Sequence, residues 1–124
     1  MSRNTFMAIA AILALLFGLA FILVPAWTMT SYAITLDEAG QWMTRYLGSA
    51  FLGIGVLTWL AKGDEGSESL SAIMLGAFVL SITGLVVSFL DAASGHGNSL
   101  HWLNVVIYLF LTVGWGYFRF VSPD

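Results

Sequence analysis

Arg45, Tyr46, Asp91, His101 and Asn104 are the side chains in this sequence whose types could act together on a ligand. A guanidinium is a fixed positive fork, and an imidazole, a carboxamide and a phenol beside it supply hydrogen bonds to an anion. Such a cup would take a lipid headgroup or a small anion. The same residues admit a plainer reading, in which Arg45 pairs with Asp91 and clamps one end of a helix bundle. Asp37 and Glu38 are the next carboxylates in line for Arg45.

Asp91, His96 and His101 follow an Asp-x4-His-x4-His spacing. These donors are ones that metals use, but the spacing matches no established metal motif, and His96 stands between two glycines. No metal ligand is assigned. A haem or chlorophyll-type pigment on His101 is the one cofactor these residues could hold. No catalytic residue is assigned either. Ser49, Ser81 and Ser88 are isolated packing serines, and no paired carboxylates lie deep in an apolar run. The midplane charges and broken helices of transporters are missing, although a homodimer could still build such a path.

The elements that must position these residues are apolar. The chain of 124 residues is 59% hydrophobic and 9% charged, against about 25% charged in a soluble domain. That balance belongs to membrane proteins. With no basic stripe there is no footprint for nucleic acid, and with no cysteine there are no disulfides or thiolate sites.

Apolar periodicity and breakers predict helices over about 6–24, 37–62, 70–91 and 100–120. A bilayer crossing needs about 20 apolar residues. Pro25 should end the first helix. Trp27 to Gln41 reads as a connection, and Asp37 and Glu38 fit the first turn of the second helix. The stretch from Trp42 to Lys62 reads as its membrane part. Ser67 or Ser69 can cap the third helix. A cleaved signal peptide is the rival reading of the first segment, but its apolar run exceeds the usual ~7–15 residues of a signal core. Short loops make neighbours antiparallel. The expected fold is therefore an all-α, integral membrane, up-down four-helix bundle forming a single domain. Arg3, Lys62 and Arg119 fall on one side of such a bundle and Arg45 towards the other, which places both termini in the cytoplasm. Trp27, Tyr32, Trp42, Tyr46 and Trp102 mark one interface; Trp59, Trp115 and Tyr117 mark the other.

Small and polar residues spaced by three and four line one face of each helix. They are Ala11, Ala14 and Gly18 in the first, and Arg45, Gly48, Ser49 and Gly55 in the second. Ala77, Ser81, Gly84, Ser88 and Asp91 follow in the third, and His101, Asn104, Tyr108, Thr112 and Trp115 in the fourth. These faces are expected to form the bundle core.

The segment from Arg45 to Ala61 (RYLGSAFLGIGVLTWLA), preceded by Leu36-Asp37-Glu38-Ala39-Gly40, resembles small uncharacterised bacterial four-helix membrane proteins, broadly the DoxX-like group. The resemblance implies a multi-pass protein of the bacterial inner (cytoplasmic) membrane. It implies respiratory or redox partners and transfers no catalytic residue. The residues themselves point first to a non-enzymatic membrane protein that meets the lipid bilayer, itself, or the subunits of a larger complex. The alternative is a binding or transport protein using the polar cup.

Overall fold

The computed structural model describes residues 1–95 and 97–122. It is all-α, 82% helical, with five α-helices and no strand among the described residues. The helices are α1 (Arg3–Leu23), α2 (Pro25–Ser31), α3 (Glu38–Ala61), α4 (Glu68–Ala93) and α5 (His101–Gly116), and a π-helical turn (Tyr117–Val121) continues α5. They fall into two compact units. One is Asn4–Lys62; the other is Met1–Arg3 with Gly63–Asp124.

In the unit Asn4–Lys62, Pro25 does end α1, but it also starts a new helix. Val24 breaks the α-path with φ −137° and ψ 58°, and Pro25 stands at the first helical position of α2. There its missing amide costs nothing and its fixed φ favours the helical turn. The Thr28 hydroxyl reinforces the junction by donating to the Val24 carbonyl at 2.8 Å. The connection expected from Trp27 therefore stays helical to Ser31. It closes with Ile34 N–H donating to the Met29 carbonyl at 3.0 Å and Ala33 N–H to that of Thr30 at 2.9 Å. This is a Schellman cap, with Ala33 at φ 60° in the place usually held by glycine.

Helix α3 begins where Asp37 accepts the Gly40 amide at 2.7 Å. It lies antiparallel against α1 along the small-residue stripe. A Cβ on Gly48 would stand 2.8 Å from the Gly18 carbonyl oxygen, and one on Gly18 would stand 2.9 Å from that of Gly48. One turn and more towards the other end, a Cβ on Gly55 would meet the Leu15 side chain at 2.7 Å. The backbones approach this closely because neither helix carries a side chain there. Ser49 belongs to a different face: it is exposed and its hydroxyl turns back to the Tyr46 carbonyl at 2.7 Å.

The second unit opens with a tight acidic turn. Asp64 Oδ1 accepts the amides of Gly66 and Ser67, both at 3.0 Å, and Oδ2 accepts the Ser67 hydroxyl at 2.8 Å. Ser67 in turn caps α4 by accepting the Leu70 amide at 3.1 Å. Arg3 Nη2 donates to the Asp64 carbonyl. The Ser67 bonds hold the Asp64 carboxyl below its ordinary pKa.

Helices α4 and α5 form an antiparallel hairpin. Its contacts run in register: Phe89 on Trp102, Gly84 under Tyr108, Phe78 beside Gly116 and then Phe120. At the far end Arg119 Nε donates to the Ser71 carbonyl at 3.2 Å.

Among the described residues, length and apolarity mark three helices as able to cross a membrane: Arg3–Leu23, Glu68–Ala93 and His101–Val121. Helix α3 is long enough at 24 residues, but its first half carries Glu38, Gln41, Thr44 and Arg45. These dilute its apolarity.

The rings expected at the interfaces divide. Trp27, Trp42, Tyr46, Trp102, Trp59 and Tyr117 are exposed, whereas Tyr32 and Trp115 are buried. Trp115 lies on the α5 stripe with Thr112 and Tyr108, so its helical phase turns it inward.

Candidate functional site

The residues of the expected cup fall at two places, one in each unit. In the unit Asn4–Lys62 the break at Pro25 governs the first. A helix end leaves its last carbonyls without intrahelical donors, and the aligned peptide dipoles make that end negative. Arg45 answers this from the second turn of α3. Its Nε donates to the Ile22 carbonyl at 3.2 Å, and its guanidinium stacks 4.6 Å from the Trp42 ring centroid. The charge thus meets a helix C-terminus and an aromatic face. Among the described residues of this unit it makes no ion pair with Asp37 or Glu38, because Asp37 is occupied as the cap of α3. Tyr46, the adjacent residue, is 70% exposed.

The second place joins the end of α4 to the start of α5. Asp91 Oδ2 lies 2.5 Å from His101 Nδ1, with the imidazole buried and the carboxylate one-third exposed. Asp91, which residue type alone would pair with Arg45, has His101 as its partner inside its own unit. The loop between them supports the geometry locally. Gly95 and Gly97 take positive φ of 83° and 73°, conformations that glycine enters without a Cβ clash. Asn98 Oδ1 accepts the Leu100 amide at 3.1 Å, and the Asn98 carbonyl accepts that of His101 at 3.2 Å. Asn104, three residues into α5, is half-buried. His96, the middle member of the Asp-x4-His-x4-His spacing, lies outside the described residues. No group of three metal-ligating side chains occurs among the described residues.

A carboxylate on Nδ1 fixes the ring of a histidine and presents its Nε2 as the basic nitrogen. That arrangement serves a ligand or a proton acceptor as readily as it serves structure. Here the imidazole is 2% exposed, so nothing reaches it from bulk solvent without movement of the hairpin.

An open recess of about 330 Å³ lies between α1 and α2, lined by Leu16, Phe17, Ala20, Trp27, Thr28, Ser31 and Tyr32. Two of its hydroxyls are spent on backbone: Thr28 on Val24 and Ser31 on Trp27. Burial pushes the Tyr32 phenol upward in pKa. The recess is an apolar surface with no charged group.

Residue type groups these side chains into one cup with Arg45 and Asp91 as its ion pair; the bonds Arg45 makes to Ile22 and Asp91 to His101 each lie within one unit. Arg45 meets a backbone carbonyl, which has no residue-type signature. The Asp91–His101 pair had a signal: a carboxylate in the last turn of one helix and an imidazole at the first position of the next.

Comparison of the chain with protein-family models, with curated proteins and with solved structures finds no match.

Proposed function

We propose that the chain is a non-enzymatic integral membrane protein, a homo-oligomer or a small accessory subunit of a larger membrane complex. It crosses the bacterial inner membrane four times with both termini in the cytoplasm, α3 supplying the fourth pass. The observation that carries this reading is the way each apolar helix exposes its large side chains. Leu16, Leu60, Val79, Val87, Leu90, Val106 and Val113 are all at least half exposed, far more apolar surface than a water-soluble chain of this size tolerates. At 1.5 Å per residue, α3 is long enough to cross a hydrocarbon layer about 30 Å thick. The polar groups support a structural role, since Arg45 caps α1 and Asp91 fixes His101. Such a protein works by fitting its faces to a partner.

Native mass spectrometry of the protein extracted gently from its own membrane tests this. A mass accounted for by other polypeptides or by several copies of the chain supports it. A lone chain carrying one stoichiometric small molecule contradicts it.

The second reading is a binding protein that holds a lipid headgroup or small anion on its polar residues, Arg45 foremost. It is favoured by one observation: the Arg45 guanidinium meets the Ile22 carbonyl and the Trp42 ring, with no carboxylate among the described residues of its own unit paired to it. Arg45→Ala abolishes ligand binding under this reading while the protein stays folded.

A further inference from the structure

The α4–α5 hairpin carries a polar residue at every matching level along half its length. The contacts fix the register. Asp91 meets His101, Gly84 meets Tyr108, and Phe78 meets Gly116. Ser88 and Asn104 fall between the first two of these levels. Ser81 and Thr112 fall midway between the last two, since 81 bisects 84 and 78 as 112 bisects 108 and 116. From Asp91 to Ser81 is ten residues, about 15 Å along the axis. That is about half the thickness of a hydrocarbon core.

The innermost level has an unmet need. Ser81 is 1% exposed. Its Oγ and the Oγ1 of Thr112 are both buried and, among the described residues, neither has a hydrogen-bond partner. Ser88, one level outward, behaves differently and donates to the Leu85 carbonyl at 3.1 Å. Two unsatisfied hydroxyls at one depth of an apolar hairpin each carry an uncompensated desolvation penalty. A buried polar pair of this kind is the usual setting of an internal water, which bonds to two to four such groups.

We infer that Ser81 and Thr112 form a binding site for a single buried water molecule at the inner end of the polar ladder. The water donates to one hydroxyl and accepts from the other. It occupies the middle of the hairpin, with the Asp91–His101 pair at the ladder's outer end.

The test is radiolytic oxidation in ¹⁸O-labelled water, with the full chain in lipid nanodiscs and mass spectrometry as the readout. Tyr108, one turn from Thr112, reports a resident water. The expected result is ¹⁸O uptake at Tyr108 that falls several-fold in the Ser81→Ala/Thr112→Val double variant, both substitutions being near-isosteric. No uptake in the unsubstituted protein, or uptake that the double variant leaves unchanged, overturns the inference. Stability gives a second, opposite-signed readout. A bridging water makes Ser81→Ala raise the unfolded fraction about two- to tenfold. Without the water, the substitution removes an unsatisfied group and lowers that fraction.

Discussion

Asp91 and His101 close the α4–α5 hairpin through a 2.5 Å contact between Oδ2 and Nδ1. It joins the last turn of one helix to the first residue of the next, across a loop built on two left-handed glycines. Because the imidazole is buried, removing the carboxylate takes away the partner of its Nδ1. Asp91→Leu should destabilise the protein by about 1–3 kcal/mol. Asp91→Asn, which keeps an acceptor, should cost less. Thermal unfolding in detergent measures both, and equal losses would show that the contact does not hold the hairpin.

Arg45→Ala removes the donor to Ile22 and the stack on Trp42. A hydrogen bond to a charged group is worth about 1.5–3 kcal/mol when buried. Arg45 is half exposed, so a loss of about 1 kcal/mol is expected. Arg45→Lys should not restore it, since lysine lacks the planar fork that stacks and donates together. Full rescue by lysine in the same unfolding measurement would mean that charge alone matters.

The glycines of the α1–α3 contact are limits on size. Gly48→Leu forces its side chain into the Gly18 carbonyl, Phe21 and Ile22, and should cost at least the 1–3 kcal/mol typical of overpacking. Gly53, where an added Cβ would meet nothing within 4 Å, should accept alanine with little change. Unfolding midpoints of the two variants compare them directly.

Ala33 holds a positive φ just after Tyr32, the C-cap of α2, a conformation that costs a non-glycine residue about 1–2 kcal/mol. Ala33→Gly should therefore stabilise α2. The gain should be under 1 kcal/mol, because glycine also adds freedom to the unfolded chain. Slower amide exchange at Ile34 is the readout, and faster exchange would refute the strain.

The Asp64 turn has a pH dependence of defined sign. Its carboxyl titrates below the ordinary value because Ser67 bonds the ionised form. The turn's stability is present above the unfolded carboxyl pKa and is lost as pH falls through the lower folded value. Amide exchange at Gly66 and Ser67 should quicken on acidification, and Asp64→Asn should weaken that response.

The sequence already displayed the helix faces. Gly18, Gly48, Gly55, Gly84 and Ser81 all lie where threefold and fourfold spacing puts them, because a helix of fixed pitch turns spacing into direction. Partners were less legible. Pro25 reads equally as a stop and as a first helical residue, so α2 was hidden in an expected connection. Trp115 suits a membrane interface by type and the hairpin core by phase, and phase prevails. Arg45 found a carbonyl freed by a distant helix break, which no residue type announces.

Labelling of engineered thiols tests the proposed four-pass topology most directly. The chain has no cysteine, so Ser2→Cys, Thr35→Cys, Glu65→Cys and Ser99→Cys each introduce a unique site. A membrane-impermeant maleimide applied to inside-out and right-side-out vesicles should label positions 2 and 65 from the cytoplasmic face, and 35 and 99 from the opposite face. Labelling of positions 35 and 65 from the same face would remove α3 as a span and contradict the account.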